Sequence, residues 1–242
     1  MSRGTKMPSS QDNSEPTTLS PSAPAPTPGA QPSSPEYVFA NLGIVVLAGG
    51  KSTRMGADKA KVTVDGRRLI DRLWDSLPPP NCPRVAVAPQ NLGVPTVSES
   101  PPFGGPVAGI AAGLRELDTE WVAVLAVDAP GSAALLPKLA AAIGGADCAV
   151  VVNAEGFDEP LCALWRRASL LTAIVQTGER DVPAGALLRA AGQVVRVPGT
   201  GAERDFDTPA QLAELGEVKL GDVELSDVKL SGGAEVGDVG LE

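Results

Sequence analysis

None of the 242 residues is a histidine. That absence excludes a Ser–His–Asp triad, a Cys–His dyad, a His-ligated zinc or haem site and an imidazole proton shuttle. Aromatic residues make up only 3% of the chain, so aliphatic side chains must fill the core. The three cysteines, Cys82, Cys148 and Cys162, match no zinc spacing and no disulfide framework. A reducing, cytoplasmic setting is the expectation. No apolar run reaches the roughly 20 residues of a membrane span. The opening MSRGTKMPSS lacks the apolar stretch of a secretory signal. Positive charge is also short, with 20 basic residues against 29 acidic ones. A nucleic-acid partner is therefore not expected, whereas a small phosphorylated ligand needs only a local basic cluster.

The acidic excess is uneven. Residues 216–242 hold two basic and seven acidic residues, a net charge of −5 out of −9 for the whole chain. This stretch repeats a five-residue unit, acidic–Val–x–Leu–small, from Glu217, Asp222 and Asp227. It reads as an acidic, solvated low-complexity tail, with a short amphipathic ribbon as the alternative. At the other end, Ser, Thr and Pro fill 20 of the first 36 positions, too few apolar groups to offset the entropy of ordering. The sequence thus predicts a disordered leader over 1–40, one folded domain over 41–215 and a tail over 216–242.

Between the tails, apolar runs alternate with helical patterns. Leu42–Ala48 and Trp121–Val127 are continuous apolar runs, as strands buried on both faces require. Val85–Ala88, Pro95–Val97, Cys148–Val152, Leu161–Trp165 and Val194–Val197 read as further strands. Helical spacing marks Leu69–Leu77, the segment opened by Pro106, and Leu135–Ile143 with Ser132 as its N-cap. Thr208-Pro209-Ala210-Gln211 has capping-box form with Pro at the first helical position. This alternation predicts an α/β fold, a three-layer Rossmann-like sandwich with a mostly parallel sheet. Ligands in such folds bind beyond the carboxyl ends of the strands.

The first such end carries Leu47-Ala48-Gly49-Gly50-Lys51-Ser52-Thr53-Arg54-Met55-Gly56-Ala57-Asp58-Lys59. Paired glycines let the backbone turn tightly and present successive N–H groups as an anion nest. Arg54 and Lys59 add two positive charges suited to a triphosphate. Gly50-Lys51-Ser52 mimics the end of a P-loop, but that motif needs glycine where Val45 stands. The dinucleotide fingerprint G-x-G-x-x-G is missing as well. Asp128 follows the second buried strand directly, placed either to hold Mg²⁺ or to cap the helix near Ser132. Asp207 has the same two readings, metal ligand or cap before Pro209.

The string LAGG-x-S-x-R-M-G-x-D-K resembles the signature of nucleotidyltransferases related to molybdenum cofactor guanylyltransferase. The resemblance extends over about residues 42–215. It includes Gly104-Gly105-Pro106-Val107-Ala108-Gly109-Ile110, Asp128-Ala129-Pro130, Asp158-Glu159-Pro160-Leu161 and Asp205-Phe206-Asp207-Thr208-Pro209, in the family order. It implies the nucleotide-diphospho-sugar-transferase type of fold and transfer of GMP from GTP to the phosphate of molybdopterin, with release of pyrophosphate. It places the nucleotide at Leu47, Ala48, Gly49, Gly50, Arg54, Lys59, Glu99 and Asp128, with Arg54, Lys59 and Asp128 as catalytic groups. Mg²⁺ falls to Asp128 and Asp207, and contacts with a molybdoenzyme or chaperone fit the same resemblance.

Two positions depart from the family pattern. Glu99 stands where aspartate usually meets guanine, and Val85-Ala86-Val87-Ala88-Pro89 lacks the usual asparagine. Three rivals therefore stay open. They are a cytidylyltransferase for the same pterin or another phosphorylated acceptor, a sugar-1-phosphate nucleotidyltransferase, and a non-catalytic nucleotide-binding module. Residues 131–205 are short for a sugar-binding half.

Overall fold

The computed structural model describes Met1 and residues 34–49, 59–78 and 81–220. In chain order, its elements begin with α1 (Pro35–Ala40), β1 (Leu42–Leu47), β2 (Thr63–Val64), β3 (Arg67–Arg68) and α2 (Leu69–Ser76). Next come β4 (Arg84–Val87), β5 (Thr96–Val97), α3 (Pro106–Arg115), β6 (Trp121–Ala126) and α4 (Leu136–Ala142). The chain continues through β7 (Cys148–Val152), β8 (Asp158–Arg166), α5 (Arg167–Thr177), α6 (Gly185–Ala190), β9 (Val194–Pro198), α7 (Pro209–Leu212) and β10 (Val218–Lys219).

Seven strands form one sheet in the order β5-β4-β1-β6-β8-β7-β9, in which only β8 pairs antiparallel to its neighbours. Side chains of β1 alternate between two cores. Ile44 and Val46 pack with Val38, Leu73 and Leu139 from α1, α2 and α4. Val45 packs with Ile110, Ile174 and Leu187 from α3, α5 and α6. Helices thus cover both faces, which is why β1 and β6 had to be apolar throughout. This is the three-layer sandwich with a mostly parallel sheet that the sequence predicts. No described helix is long and apolar enough to cross a membrane.

The chain runs from β1 to β4 and β5 on one side, then crosses through α3 to β6 on the other. Such a reversal opens a crevice at the carboxyl ends of the strands. The crossing helix lies unusually near the sheet. A Cβ on Gly113 would sit 2.7 Å from Val45 Cγ1, so only glycine permits this approach. Nearer the start of α3, a Cβ on Gly109 would sit 3.0 Å from Leu47 Cδ2, which holds that end of the helix against the end of β1.

Four expectations need correction. Ser132 does not cap a helix: it opens a 3₁₀ turn, Ser132–Leu135, and is fully buried with its hydroxyl unpartnered. The α-helix starts only at Leu136, where Pro137 fits a first turn that needs no N–H donor. The folded domain also begins before residue 41. Helix α1 is capped by Ser34 and buries Val38 completely. Likewise, it continues past residue 215, since β10 pairs antiparallel with β2 and Val218 is 7% exposed. The Glu217 N–H donates to the Asp65 carboxylate at 2.8 Å, and the Asp65 N–H donates to the Glu217 carbonyl at 2.8 Å. The first repeat unit is therefore a strand of the domain, because its Val–x–Leu alternation turns Val218 and Leu220 onto the core. The units from Asp222 and Asp227, like leader residues 2–33, lie outside the described residues.

Candidate active site

A cavity of about 540 Å³ opens at the carboxyl ends of β1, β4 and β6. That volume lies in the range of small-molecule sites. Leu47, Ala48 and Gly49 form its floor, and Val87, Ala88 and Pro89 form one wall. A Cβ on Gly49 would lie 3.1 Å from Pro89 Cδ and 3.4 Å from Ala88 Cα, so the two strand ends approach as closely as the glycine allows. Gly50 and Arg54 lie outside the described residues. The missing asparagine has no substitute in the 87–89 wall, which offers apolar side chains only.

Lys59 closes the polar side. It opens a short 3₁₀ turn, Lys59–Lys61, and its ammonium donates to Asp128 at 2.8 Å and to Asp207. Its side chain is 14% exposed, against 24% for Asp128 and 37% for Asp207. Burial pulls the Lys59 pKa down, but the hydrogen bonds and charges of both carboxylates outweigh it and hold the pKa above the ordinary value. Three residues far apart in sequence thus meet in one charged cluster. The capping alternatives for both aspartates fall away. Thr208 caps α7 in a full capping box with Gln211, and the turn at Ser132 has no side-chain cap. Asp128 is fixed further by its carbonyl, which accepts the Phe206 N–H at 2.9 Å.

On the opposite rim, Glu99 belongs to the loop that leads into α3. One carboxylate oxygen accepts the Gly104 N–H at 3.2 Å, while the other is buried and unpartnered. A buried acceptor without a donor costs about 1–3 kcal/mol, so it marks a place for a ligand's N–H. The loop is braced from outside, where the Asp181 N–H donates to the Gly104 carbonyl at 2.6 Å and Arg180 donates to the Pro101 carbonyl at 2.8 Å.

Residues 44–194 match the family model described as the MobA-like NTP transferase domain. The chain belongs to the MobA-like NTP transferase family. It is 33% identical over 183 residues to the probable molybdenum cofactor guanylyltransferase of Deinococcus radiodurans, covering 72% of this chain and 93% of the relative. The probable molybdenum cofactor guanylyltransferase of a Nostoc species is 33% identical over 193 residues, covering 72% and 90%. Among solved structures, molybdopterin-guanine dinucleotide biosynthesis protein A from Archaeoglobus fulgidus superposes with a TM-score of 0.54 at 22% identity, covering 71% of this chain and 95% of that one. The 2-C-methyl-D-erythritol 4-phosphate cytidylyltransferase of Thermus thermophilus gives 0.52 at 18% identity, covering 70% and 95%. These two likenesses concern the fold.

In this NTP transferase the motif Asp158-Glu159-Pro160-Leu161 forms the start of β8. Leu161 lines the cavity. Asp158 is paired with Arg196 instead, at 2.8 Å. Burial raises the Glu159 pKa against a hydrogen bond from Asn153, and Asp205, Glu203 and Glu155 push it further up. The three thiols are buried and free. Burial pushes Cys82 up to about 11 and Cys162 up to about 12, and it raises Cys148 as well. None is a thiolate nucleophile at neutral pH. Sequence reasoning missed Ser98, whose hydroxyl donates to the Ala88 carbonyl at 2.6 Å, and Phe103, both of which line the cavity.

Proposed function

We propose that the protein transfers GMP from GTP to the terminal phosphate of molybdopterin and releases pyrophosphate. The observation that carries this reading is one cavity with two chemically distinct ends. Lys59, Asp128 and Asp207 form the charged end, and the unpartnered oxygen of Glu99 forms the other. The names of the relatives support guanine and the pterin. Guanine presents donors at N1 and its exocyclic amine, which suits a carboxylate acceptor, whereas adenine presents an acceptor at N1.

An acceptor phosphate is already ionised, so its oxygen attacks the α-phosphorus without a general base. The new P–O bond forms as the bond to the β-phosphate oxygen breaks, and pyrophosphate leaves. The protein's part is alignment and neutralisation of charge. Lys59, with Arg54 and the Gly49–Gly50 amides, holds phosphate oxygens. Asp128 and Asp207 suit Mg²⁺, which is commonly bound by one or two carboxylates plus substrate phosphates. Asp128 and Asp207 both reach the Lys59 ammonium, so the two carboxylates form an oxygen donor set that fits an ion completed by substrate phosphates. Mg²⁺ would supply neutralisation of the phosphate charge there. Buried, unpaired thiols fit a reducing, cytoplasmic setting.

Pyrophosphate release from each of the four NTPs with Mg²⁺, against phosphorylated acceptors including molybdopterin, tests this reading. Release from GTP with molybdopterin is the expected result; a preference for CTP turns the reading to the cytidylyltransferase. A second test concerns Glu99. In Glu99→Gln the amide oxygen can keep the Gly104 contact while the NH₂ faces guanine's donors. The ratio of kcat/KM for GTP over ATP should fall about 10- to 100-fold. An unchanged ratio would remove Glu99 from base selection.

A further inference from the structure

We infer that Phe103 is the stacking platform for the nucleotide base, an inference that rests on the GTP reading above. The chain has eight aromatic residues, and among the described ones Phe103 alone places an aromatic side chain on the cavity. Trp121, Trp165 and Phe206 are buried elsewhere, and the exposed Phe157 lies at the turn between β7 and β8. Phe103 lines a cavity with apolar walls and is 48% exposed, so much of its side chain is accessible to a ligand.

The backbone makes that exposure a held state. Phe103 has φ of 63°, a left-handed conformation rarely adopted by a bulky side chain. Its neighbours enforce it, through Glu99 on the Gly104 N–H, Asp181 on the Gly104 carbonyl and Arg180 on the Pro101 carbonyl. Strain of this kind persists only where surrounding contacts over-determine it.

The ligand face is a planar ring with polar edges. Phe103 lies in the loop that carries the unpartnered Glu99 oxygen. Edge recognition by Glu99 and face recognition by Phe103 therefore address one ring, and that ring is the base. The pterin is planar too, but the segment that the resemblance assigns to the acceptor is the start of β8 and not the loop that carries Phe103. Stacking is tolerant of base identity, so Phe103 sets affinity while Glu99 sets choice.

Equilibrium binding of GTP, of ribose 5-triphosphate, which lacks a base, and of a pterin phosphate is measured by calorimetry for the parent, Phe103→Tyr and Phe103→Leu. Tyr keeps the ring face and should bind GTP as the parent does. Leu keeps apolar bulk without a π-face and should bind GTP about tenfold more weakly, with ribose 5-triphosphate bound alike by all three proteins. Equal GTP affinity for the Tyr and Leu variants, or an equal loss toward ribose 5-triphosphate, overturns the stacking role. So does a Leu variant that weakens only a pterin phosphate. A parent that binds neither triphosphate overturns the nucleotide reading itself.

Discussion

Lys59→Ala should release pyrophosphate about 10²–10³-fold more slowly than the parent while remaining folded. The range is that of losing one donor preorganised toward developing charge. The lysine is the only cation among the described residues that lines the cavity, and it meets both carboxylates at once. Removing it takes the shared ammonium away from Asp128 and Asp207 and, on the proposed reading, deprives the phosphates of a donor. Lys59→Arg is not a rescue, because a planar guanidinium cannot replace a compact ammonium between two carboxylates. The effect on stability is separate and smaller. Pairs of this kind contribute about 1 kcal/mol or less where water reaches them. Folded Lys59 holds its proton more tightly than free lysine. Its contribution is therefore complete below about pH 10 and is lost as the pH rises through the folded value. A melting curve beside the turnover assay separates the two effects; a folded Lys59→Ala protein with parental turnover would take Lys59 out of the site.

Ending the chain at residue 216 should cost both stability and activity, while ending it at 220 should cost neither. The shorter chain loses β10, the burial of Val218, the packing of Leu220 and one hydrogen-bond partner of Asp65. Two aliphatic side chains returned to water are worth about 2–4 kcal/mol. For a chain of this size, that lowers Tm by about 5–15 °C. Activity should fall as well, because β2, the strand that β10 holds, begins four residues after Lys59. Equal melting temperatures for the two shortened proteins would make β10 dispensable.

How far these features are legible in the sequence depends on pattern length. β1 and β6 stand out because six consecutive apolar residues suit little besides a strand covered on both faces. The orientation of β8 is not legible, since an apolar run carries no record of strand direction. Two-residue strands such as β2, β3 and β10 are shorter than one full alternation, so the acidic residues around Val218 make it look like tail. Helix α5 escapes detection because its apolar residues do not confine themselves to one face: Leu171 and Val175 are exposed while Leu170 and Ile174 are buried. At the site, Lys59, Asp128 and Asp207 are each recognisable from local context. Their meeting is not, because it depends on contacts 69 and 148 residues apart in sequence. Phe103 leaves no periodic trace, since a single aromatic in a proline–glycine loop looks the same whether it faces a ligand or the solvent.

The last described stretch of the chain has a bearing on the order in which the enzyme becomes competent during synthesis. Residues 205–219 return to earlier parts of the fold three times. The Phe206 N–H reaches the Asp128 carbonyl, Asp207 reaches Lys59, and β10 reaches β2. A growing chain that has already emitted Lys59, Glu99 and Asp128 still lacks Asp207, which pairs with Lys59, and β10, which holds the nearby β2. Proteins emerge from the ribosome amino end first. The nascent protein therefore passes through about a third of its synthesis, from residue 128 to residue 207, with Lys59 and Asp128 made and Asp207 still missing. Competence arrives with the closing segment of the domain, so a prematurely terminated product should retain a fragment of the pocket without its Lys59–Asp207 contact.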